Sequence, residues 1–79
     1  MKTVYKYPVG KVNMPVGARV LAGQSRDRKF YIWAEVDTTL PLTERHFVVY
    51  GTGWEISDNS QYITTIIDGE CIWHVYELA

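Results

Sequence analysis

Hydrophobic and polar residues alternate with a period of two along most of the chain, and a period of 3.6 nowhere lasts for more than one turn. This pattern predicts strands and no substantial helix. The alternating segments are 3–9, 18–24, 30–37, 45–50, 62–67 and 71–78. About six mostly antiparallel strands joined by short connections favour a small all-β barrel or sandwich over an open sheet, as a single domain over 1–79.

The segment 30–37 has the clearest two-sided pattern. One face carries Phe30, Ile32, Ala34 and Val36, and the other carries Tyr31, Trp33, Glu35 and Asp37. We predict that the first face belongs to the core. In the segment 3–9, Tyr5 and Tyr7 are predicted to face inward.

Two connections can be assigned from their turn residues. Pro15 and Gly17 predict a tight reversal over 10–17, after the first strand. The polar residues 25–29, four of them charged, predict one of the longer hairpin loops.

The last third of the chain predicts a second hairpin, with Asp68 and Gly69 at the centre of a type I′ turn. That turn would pair Thr64 with Trp73, Ile63 with His74, and Tyr62 with Val75. Both strands carry bulky residues at nearly every position, so something must cover each face. The rest of a barrel, a second subunit and a ligand are the alternatives.

Composition and charge narrow the classes of function. Eight Lys and Arg balance nine Asp and Glu, which removes the bulk attraction for nucleic acid and makes it an unlikely partner. A single cysteine cannot form an internal disulfide, and no apolar run approaches about 18 residues. We therefore expect a reduced protein in the cytoplasm without membrane contact. The 14% aromatic content predicts a contact surface or a homo-oligomer.

The titratable residues predict neither a metal site nor a nucleophile. Cys71 and His74 are three apart on one strand and so face opposite ways, which prevents a thiol–imidazole pair. Cys71 is predicted to be a buried, inert thiol. His46 and His74 have no third ligand at a recognisable spacing, so neither a metal nor a cofactor is predicted.

Gly51-Thr52-Gly53-Trp54 is the candidate ligand site. Glycine allows a close approach of the backbone, and Trp54 offers a stacking face. Arg45, or the basic loop 26–29, could supply the cation that a phosphate needs, and Tyr50 is a further candidate ligand residue. The alternative is a turn that only needs positive φ. The segment lacks the third glycine and the Lys-Ser/Thr ending of the known nucleotide loops.

Glu35 and Asp37 share one face about 7 Å apart, a spacing that also suits acid–base catalysis. Exposed acids on a polar face are the commoner explanation, so no enzyme activity is predicted. Tyr31 and Trp33 beside them could stack bases, but the flanking acids would repel a nucleic-acid backbone.

Five motifs spread over the chain are Tyr-Lys-Tyr-Pro at 5–8, Met-Pro-Val-Gly-Ala at 14–18, Trp-Ala-Glu-Val-Asp at 33–37, Val-Tyr-Gly-Thr-Gly at 49–53 and Trp-His-Val-Tyr-Glu at 73–77. Together they resemble a widespread family of small uncharacterised phage and prophage proteins of about 70–90 residues. Many relatives have His where this chain has Trp54. The resemblance implies phage origin and a compact β domain, and it implies no activity.

The expected function is therefore non-enzymatic binding that counteracts host defence or modulates host machinery in the host cytoplasm. The protein would sequester a small signal of the cyclic-nucleotide type or block a host protein. The alternative is a structural or assembly protein whose aromatic surfaces serve only oligomerisation. The candidate interface residues are Tyr31, Trp33, Tyr62, Trp73, His74 and Tyr76.

Overall fold

A computed structural model describes residues 1–79 as seven β-strands connected by turns. The strands are β1 (Lys2–Pro8), β2 (Lys11–Pro15), β3 (Arg19–Arg26), β4 (Lys29–Asp37), β5 (Leu42–Gly51), β6 (Ser60–Asp68) and β7 (Cys71–Leu78). The all-β prediction is confirmed, with one strand more than expected. There is no helix, and hence none that is long and apolar enough to cross a membrane.

The strands form two antiparallel sheets, which make the fold a sandwich. Sheet A has the order β1-β4-β3, and sheet B has the order β2-β5-β7-β6. The layers approach closely at Gly23 of β3, where an added Cβ would lie 2.7 Å from Cγ1 of Ile66 on β6. Glycine is needed at this position because any side chain would push the sheets apart.

The core lies between the sheets and follows the predicted alternation of β4. Ile32, Ala34 and Val36 are buried, and Phe30 packs against them at the edge of the core. The full set of buried hydrophobic residues is Met14, Ala18, Ile32, Ala34, Val36, Phe47, Ile66 and Val75. Tyr7 packs against this core as predicted, whereas Tyr5 lies at its margin and is 48% exposed.

The tight reversal predicted over 10–17 is confirmed only at its end. A turn forms over 15–18, where the Ala18 N–H donates to the Pro15 carbonyl at 3.1 Å and Gly17 has φ of +79°, but the residues before it form β2. Val12 and Met14 face the core and alternate with Lys11 and Asn13. Pro15 is tolerated because β2 is an edge strand and Pro15 is its last residue.

The longer loop predicted over 25–29 is also wrong. β3 and β4 continue to Arg26 and Lys29, and only Asp27 and Arg28 form the turn. Both have positive φ, 51° and 65°, as a two-residue type I′ turn requires. Asp is one of the few residues that adopt this conformation readily, which the sequence pattern alone did not reveal.

The predicted register of the C-terminal hairpin is wrong by two residues. Gly69 and Glu70 form the turn, and Asp68 pairs with Cys71. Gly69 has φ of +59° and stands at the first central position, where a type II′ turn places glycine. A bulge between Tyr62 and Thr64 then brings Tyr62 opposite Tyr76. The shift is even, so the inward and outward faces of β7 are unchanged.

Candidate functional site

The predicted Gly51–Trp54 segment forms a tight turn at the end of β5. The Trp54 N–H donates a hydrogen bond to the Gly51 carbonyl at 3.1 Å, and Gly53 has φ of +88°. The Trp54 indole folds back over Gly51, where an added Cβ would lie 2.7 Å from Cε2. Glycine is favoured at position 53 because the backbone there has a positive φ, and at position 51 because the indole occupies the space of a Cβ.

The indole of Trp54 closes one end of the sandwich. It meets Trp73 edge to face at 5.9 Å between ring centroids, and Trp73 in turn meets Phe30 at 5.4 Å. Beside this cluster lies an open groove of about 460 Å³. The groove is lined by Gly51, Thr52, Trp54, Glu70, Cys71, Ile72 and Trp73. Its only charged lining residue is an acid, so no cation in the groove is placed to bind a phosphate.

Thr52 ties this turn to β7. Its hydroxyl donates to the Ile72 carbonyl at 3.3 Å, and its oxygen lies 3.1 Å from Nε2 of His74. The imidazole tautomer sets the direction of the second contact: Nε2 either donates to the Thr52 oxygen or accepts the Thr52 hydroxyl proton.

Arg45 does not join the Gly51–Trp54 turn. The two lie six residues apart on β5, about 20 Å along the strand. The guanidinium makes two bonds to the Glu77 carboxylate, at 2.8 and 2.7 Å, and a third to the Ala18 carbonyl at 2.6 Å. The hydrogen bonds to Glu77 raise the pKa of Arg45 above its ordinary value. Arg45 therefore closes the opposite end of the sandwich instead of offering a free cation.

Tyr50 lies on the outer face of sheet B and belongs to a cluster of three tyrosines. Its ring meets Tyr76 edge to face at 5.4 Å, and Tyr62 meets the other side of Tyr76 at 5.6 Å. The strand register adds apolar neighbours on the same face. We call this surface the tyrosine face: Val48, Tyr50, Tyr62, Ile67, Ile72, His74, Tyr76 and Leu78.

The tyrosine face is only partly covered by the chain. Tyr62 is 54% exposed and Ile67 is 72% exposed, whereas Val48, Tyr50, His74, Tyr76 and Leu78 are half-buried. The loop 52–59 contacts the face at Tyr50, where the Ser57 N–H donates to the Tyr50 hydroxyl at 3.4 Å. Both faces of the C-terminal hairpin are thus apolar as predicted, and the inner one is covered by the opposite sheet.

The layer that carries this face is acidic. The residues of sheet B and its connections, 10–17 and 42–79, contain six acids and two cations, a net side-chain charge of −4. One acid, Glu77, is paired with Arg45. The acids without an ion pair are Glu44, Glu55, Asp58, Asp68 and Glu70.

Cys71 is exposed, so the prediction of a buried thiol is wrong. It occupies the last pair before the hairpin turn, beyond the buried core, although its neighbours in the sequence are apolar. The structure contains no group of three His, Cys, Asp or Glu side chains that could hold a metal ion.

The comparison with known proteins gives a family without an assigned activity. A family described as a domain of unknown function, DUF7352, matches residues 1–79. The chain belongs to the DUF7352 family. No curated protein and no solved structure matches it.

The DUF7352 fold separates the residues that the sequence grouped as an interface. Tyr62, His74 and Tyr76 come together on the tyrosine face. Trp73 points inward, with its Nε1 buried and without a partner, and Tyr31 and Trp33 lie on the outer face of sheet A. The candidate ligand residues separate likewise, since Gly51, Thr52 and Trp54 share the groove while Tyr50 faces outward.

Sequence reasoning missed the aliphatic part of the tyrosine face, which is Val48, Ile67, Ile72 and Leu78. Three of these residues could have been found from the sequence, because Val48, Ile72 and Leu78 each lie an even number of residues from a tyrosine on their own strand. Ile67 could not, because the bulge between Tyr62 and Thr64 shifts the alternation of β6 by one residue.

Proposed function

We propose that this DUF7352 protein is a non-enzymatic binding protein that blocks a partner protein by covering part of its surface with the tyrosine face. The observation that carries the proposal is the set of three contacting tyrosine rings on an outer sheet face that the chain leaves partly open. Tyrosine is enriched at protein interfaces because its ring is large and rigid and its hydroxyl stays hydrated or bonded.

The tyrosine face could form the centre of such an interface. Its residues lie on the three strands β5, β7 and β6, and three strands at about 4.8 Å spacing with about eight residues of about 3.4 Å rise give roughly 14 by 27 Å. This is on the order of 400 Å² in plan, about half of the roughly 800 Å² that each partner buries in a standard interface, so flanking residues would complete the contact.

The charge of this layer favours a different protein over a second copy. Two copies meeting through this face would bring together two layers that each carry a net side-chain charge of −4, and like charges oppose association. A partner with an apolar patch bordered by lysine and arginine would complement this charge, which includes Glu44 on the same side of β5 as Val48 and Tyr50. We therefore assign the face to a basic-bordered protein.

Blocking a protein also fits the geometry better than sequestering a nucleotide in the Gly51–Trp54 groove. Glu70 is the only charged side chain of that groove, and the guanidinium of Arg45 is already committed to Glu77 and Ala18. A phosphate in the groove would therefore have no cation to neutralise it.

The resemblance to phage and prophage proteins supplies the biological setting of the proposal. A phage-encoded protein of this kind would act stoichiometrically on a host defence protein, or on host machinery, in the host cytoplasm. Neither role needs a catalytic group.

The test compares charge-introducing variants on the two sides of the sandwich. Tyr62→Lys and Ile67→Lys lie on the tyrosine face, and Leu21→Lys is the matched control on β3, where Leu21 is 45% exposed. A protein captured from host lysate is purified, and its Kd for each variant is measured by calorimetry. We expect Tyr62→Lys and Ile67→Lys each to weaken binding at least about tenfold, with no change for Leu21→Lys.

Two outcomes would overturn the proposal. A captured protein that binds all three variants equally would not use the tyrosine face. A stable homodimer of the wild-type protein in sedimentation, lost in Tyr62→Lys, would show that a second copy covers the face and would support the oligomerisation alternative.

A further inference from the structure

The outer face of sheet A differs from the tyrosine face in charge. The residues of sheet A and its connections, 1–9 and 18–41, contain six of the eight cations of the chain and three acids, a net side-chain charge of +3. The total charge of −1 is therefore the sum of a positively charged layer, sheet A, and a negatively charged layer, sheet B. The cations are Lys2, Lys6, Arg19, Arg26, Arg28 and Lys29.

Two aromatic rings lie among these cations. Tyr31 and Trp33 alternate outward on the central strand β4, so their side chains project about 7 Å apart. The Lys6 ammonium lies 5.0 Å from the centroid of the Tyr31 ring, and the Arg26 guanidinium carbon lies 6.0 Å from that of Trp33. Each ring thus has one cation above it.

The acids that flank these rings are already engaged. Glu35 pairs with Arg19 at 3.8 Å. Asp37 accepts hydrogen bonds from the Thr39 hydroxyl at 2.6 Å and from the amino group of Met1 at 3.2 Å. The repulsion expected from the sequence is therefore offset by charges and donors of the chain itself, while Lys6, Arg26, Arg28 and Lys29 have no acidic partner.

The surface beside Trp33 leaves room for a planar group. Its cross-strand neighbour on β3 is Ala22, a small side chain. An open groove of about 490 Å³ lies along this edge, between β3 and β6. The groove is lined by Ala22, Gly23, Gln24, Trp33, Thr65 and Ile67.

We propose that the outer face of sheet A binds single-stranded nucleic acid. Two successive bases stack on Tyr31 and Trp33 and displace Lys6 and Arg26 from above the rings. These two cations and the turn that carries Arg28 then contact the backbone phosphates. Stacking rings within a cationic surface are the means by which proteins hold single strands without reading their sequence. A duplex is not accommodated, because its bases are already stacked and cannot reach the rings.

This site uses residues of sheet A, so it does not depend on the proposed function. The two surfaces adjoin at one edge, where Ile67 of the tyrosine face also lines the groove beside Trp33. The prediction that nucleic acid is an unlikely partner rested on total charge and on the flanking acids. We replace that prediction here, because the charges are segregated and those acids are engaged.

The test is fluorescence anisotropy with a labelled single strand of about ten nucleotides, within the range of known site sizes. The same sequence as a duplex is measured in parallel, at 50 and 200 mM salt. We expect saturable binding of the single strand, at least about tenfold tighter than the duplex, which weakens as salt rises.

Variants locate the site. Lys6→Gln with Arg26→Gln removes two phosphate contacts and should lower the salt slope by about 1.4. Lys11→Gln is the matched control, since Lys11 is an exposed cation on sheet B, and it should leave both affinity and slope unchanged. Trp33→Leu should weaken binding about 5- to 100-fold through the lost stacking. Tyr31→Leu repeats that test at a second ring if Trp33→Leu does not fold.

Three results would overturn the proposal. The first is the absence of saturable binding of the single strand at 50 mM salt. The second is equal affinity for duplex and single strand. The third is an affinity that Lys11→Gln reduces as much as the double variant of Lys6 and Arg26, which would mean that attraction is not confined to sheet A.

Discussion

The Trp54 indole packs directly against Gly51, and this contact requires the absence of a side chain at position 51. The indole lies where a Cβ on residue 51 would be, with Cε2 at 2.7 Å and Nε1 at 2.9 Å. Three residues of backbone thus fold a tryptophan back onto the end of its own strand. The contact closes the sandwich beside Trp73 without a residue from another element.

Gly51→Ala should displace the Trp54 indole. Because Trp54 is 59% exposed, it can swing into solvent, so we expect only about 1 kcal/mol of lost stability together with a red-shifted tryptophan emission. Gly53→Ala is the control, because nothing lies within 4 Å of its Cβ and only its φ of +88° is unfavourable. It should cost about 1 kcal/mol without the shift in emission. Identical emission from the two variants would contradict the proposed contact.

Arg45→Leu should destabilise the fold by about 2 kcal/mol, because it leaves the Glu77 carboxylate without its partner. The side chains of Arg45 and Glu77 are mostly buried, at 19% and 23% exposure. Glu77→Leu should cost a similar amount, and the double variant should cost less than the two together. The measurement is the urea dependence of unfolding for all four proteins.

The exposed pair of Arg19 and Glu35 provides the control for this cycle. Its atoms are 3.8 Å apart and its side chains are 71% and 36% exposed, so Arg19→Leu should change stability by less than about 0.5 kcal/mol. An equal loss for Arg19→Leu and Arg45→Leu would show that burial does not decide the strength of the pair.

Asp37 should make stability depend on pH in the acid range. The Thr39 hydroxyl and N–H and the Met1 amino group lower the pKa of Asp37 from 3.8 to about 2. A lowered pKa stabilises the folded state above the unfolded value, so this contribution is present above about pH 4 and is lost as pH falls toward 2. Following the carboxyl carbon by NMR gives the pKa directly.

Thr39→Val should raise the pKa of Asp37 toward its ordinary value, because it removes the hydroxyl donor. Thr38→Val is the neighbouring control, since the Thr38 hydroxyl donates to the Met1 carbonyl and not to Asp37. A pKa that stays low in Thr39→Val would assign the shift to other groups.

Cys71 should react with a maleimide reagent in the folded protein, without denaturant, because its side chain is exposed at the hairpin end. One label per chain is expected, and it should alter tryptophan fluorescence because Cys71 lines the groove with Trp54 and Trp73. Mass spectrometry gives the stoichiometry. A thiol that reacts only after unfolding would contradict its placement.

Local sequence patterns predicted the parts of the fold that depend on neighbours along the chain. The alternation of Ile32, Ala34 and Val36 identified the core face of β4. Trp73, which the sequence analysis grouped with the interface residues, packs against the core instead. β2 was not predicted because its five residues, which lie between two turns, are too few for the alternation to be recognised.

Contacts between distant residues had no such signal. Arg45 and Glu77 are 32 residues apart, so the sequence presented Arg45 as a free cation when the fold had already paired it. The distribution of charge between the two sheets could not be predicted either, because a total of −1 does not show which charged residues belong to each sheet. Assigning Lys6, Arg19 and Arg26 to one face required the register of β1, β3 and β4.

The thickness of the sandwich decides how these charges are sensed. The Cα trace measures 15 Å in its shortest dimension, which for two stacked sheets is the direction through the layers. At physiological ionic strength the Debye length is about 8 Å. A molecule that approaches one layer is therefore largely screened from the charges of the other layer. Each layer behaves as an independently charged surface. The isoelectric point of the whole chain describes neither surface.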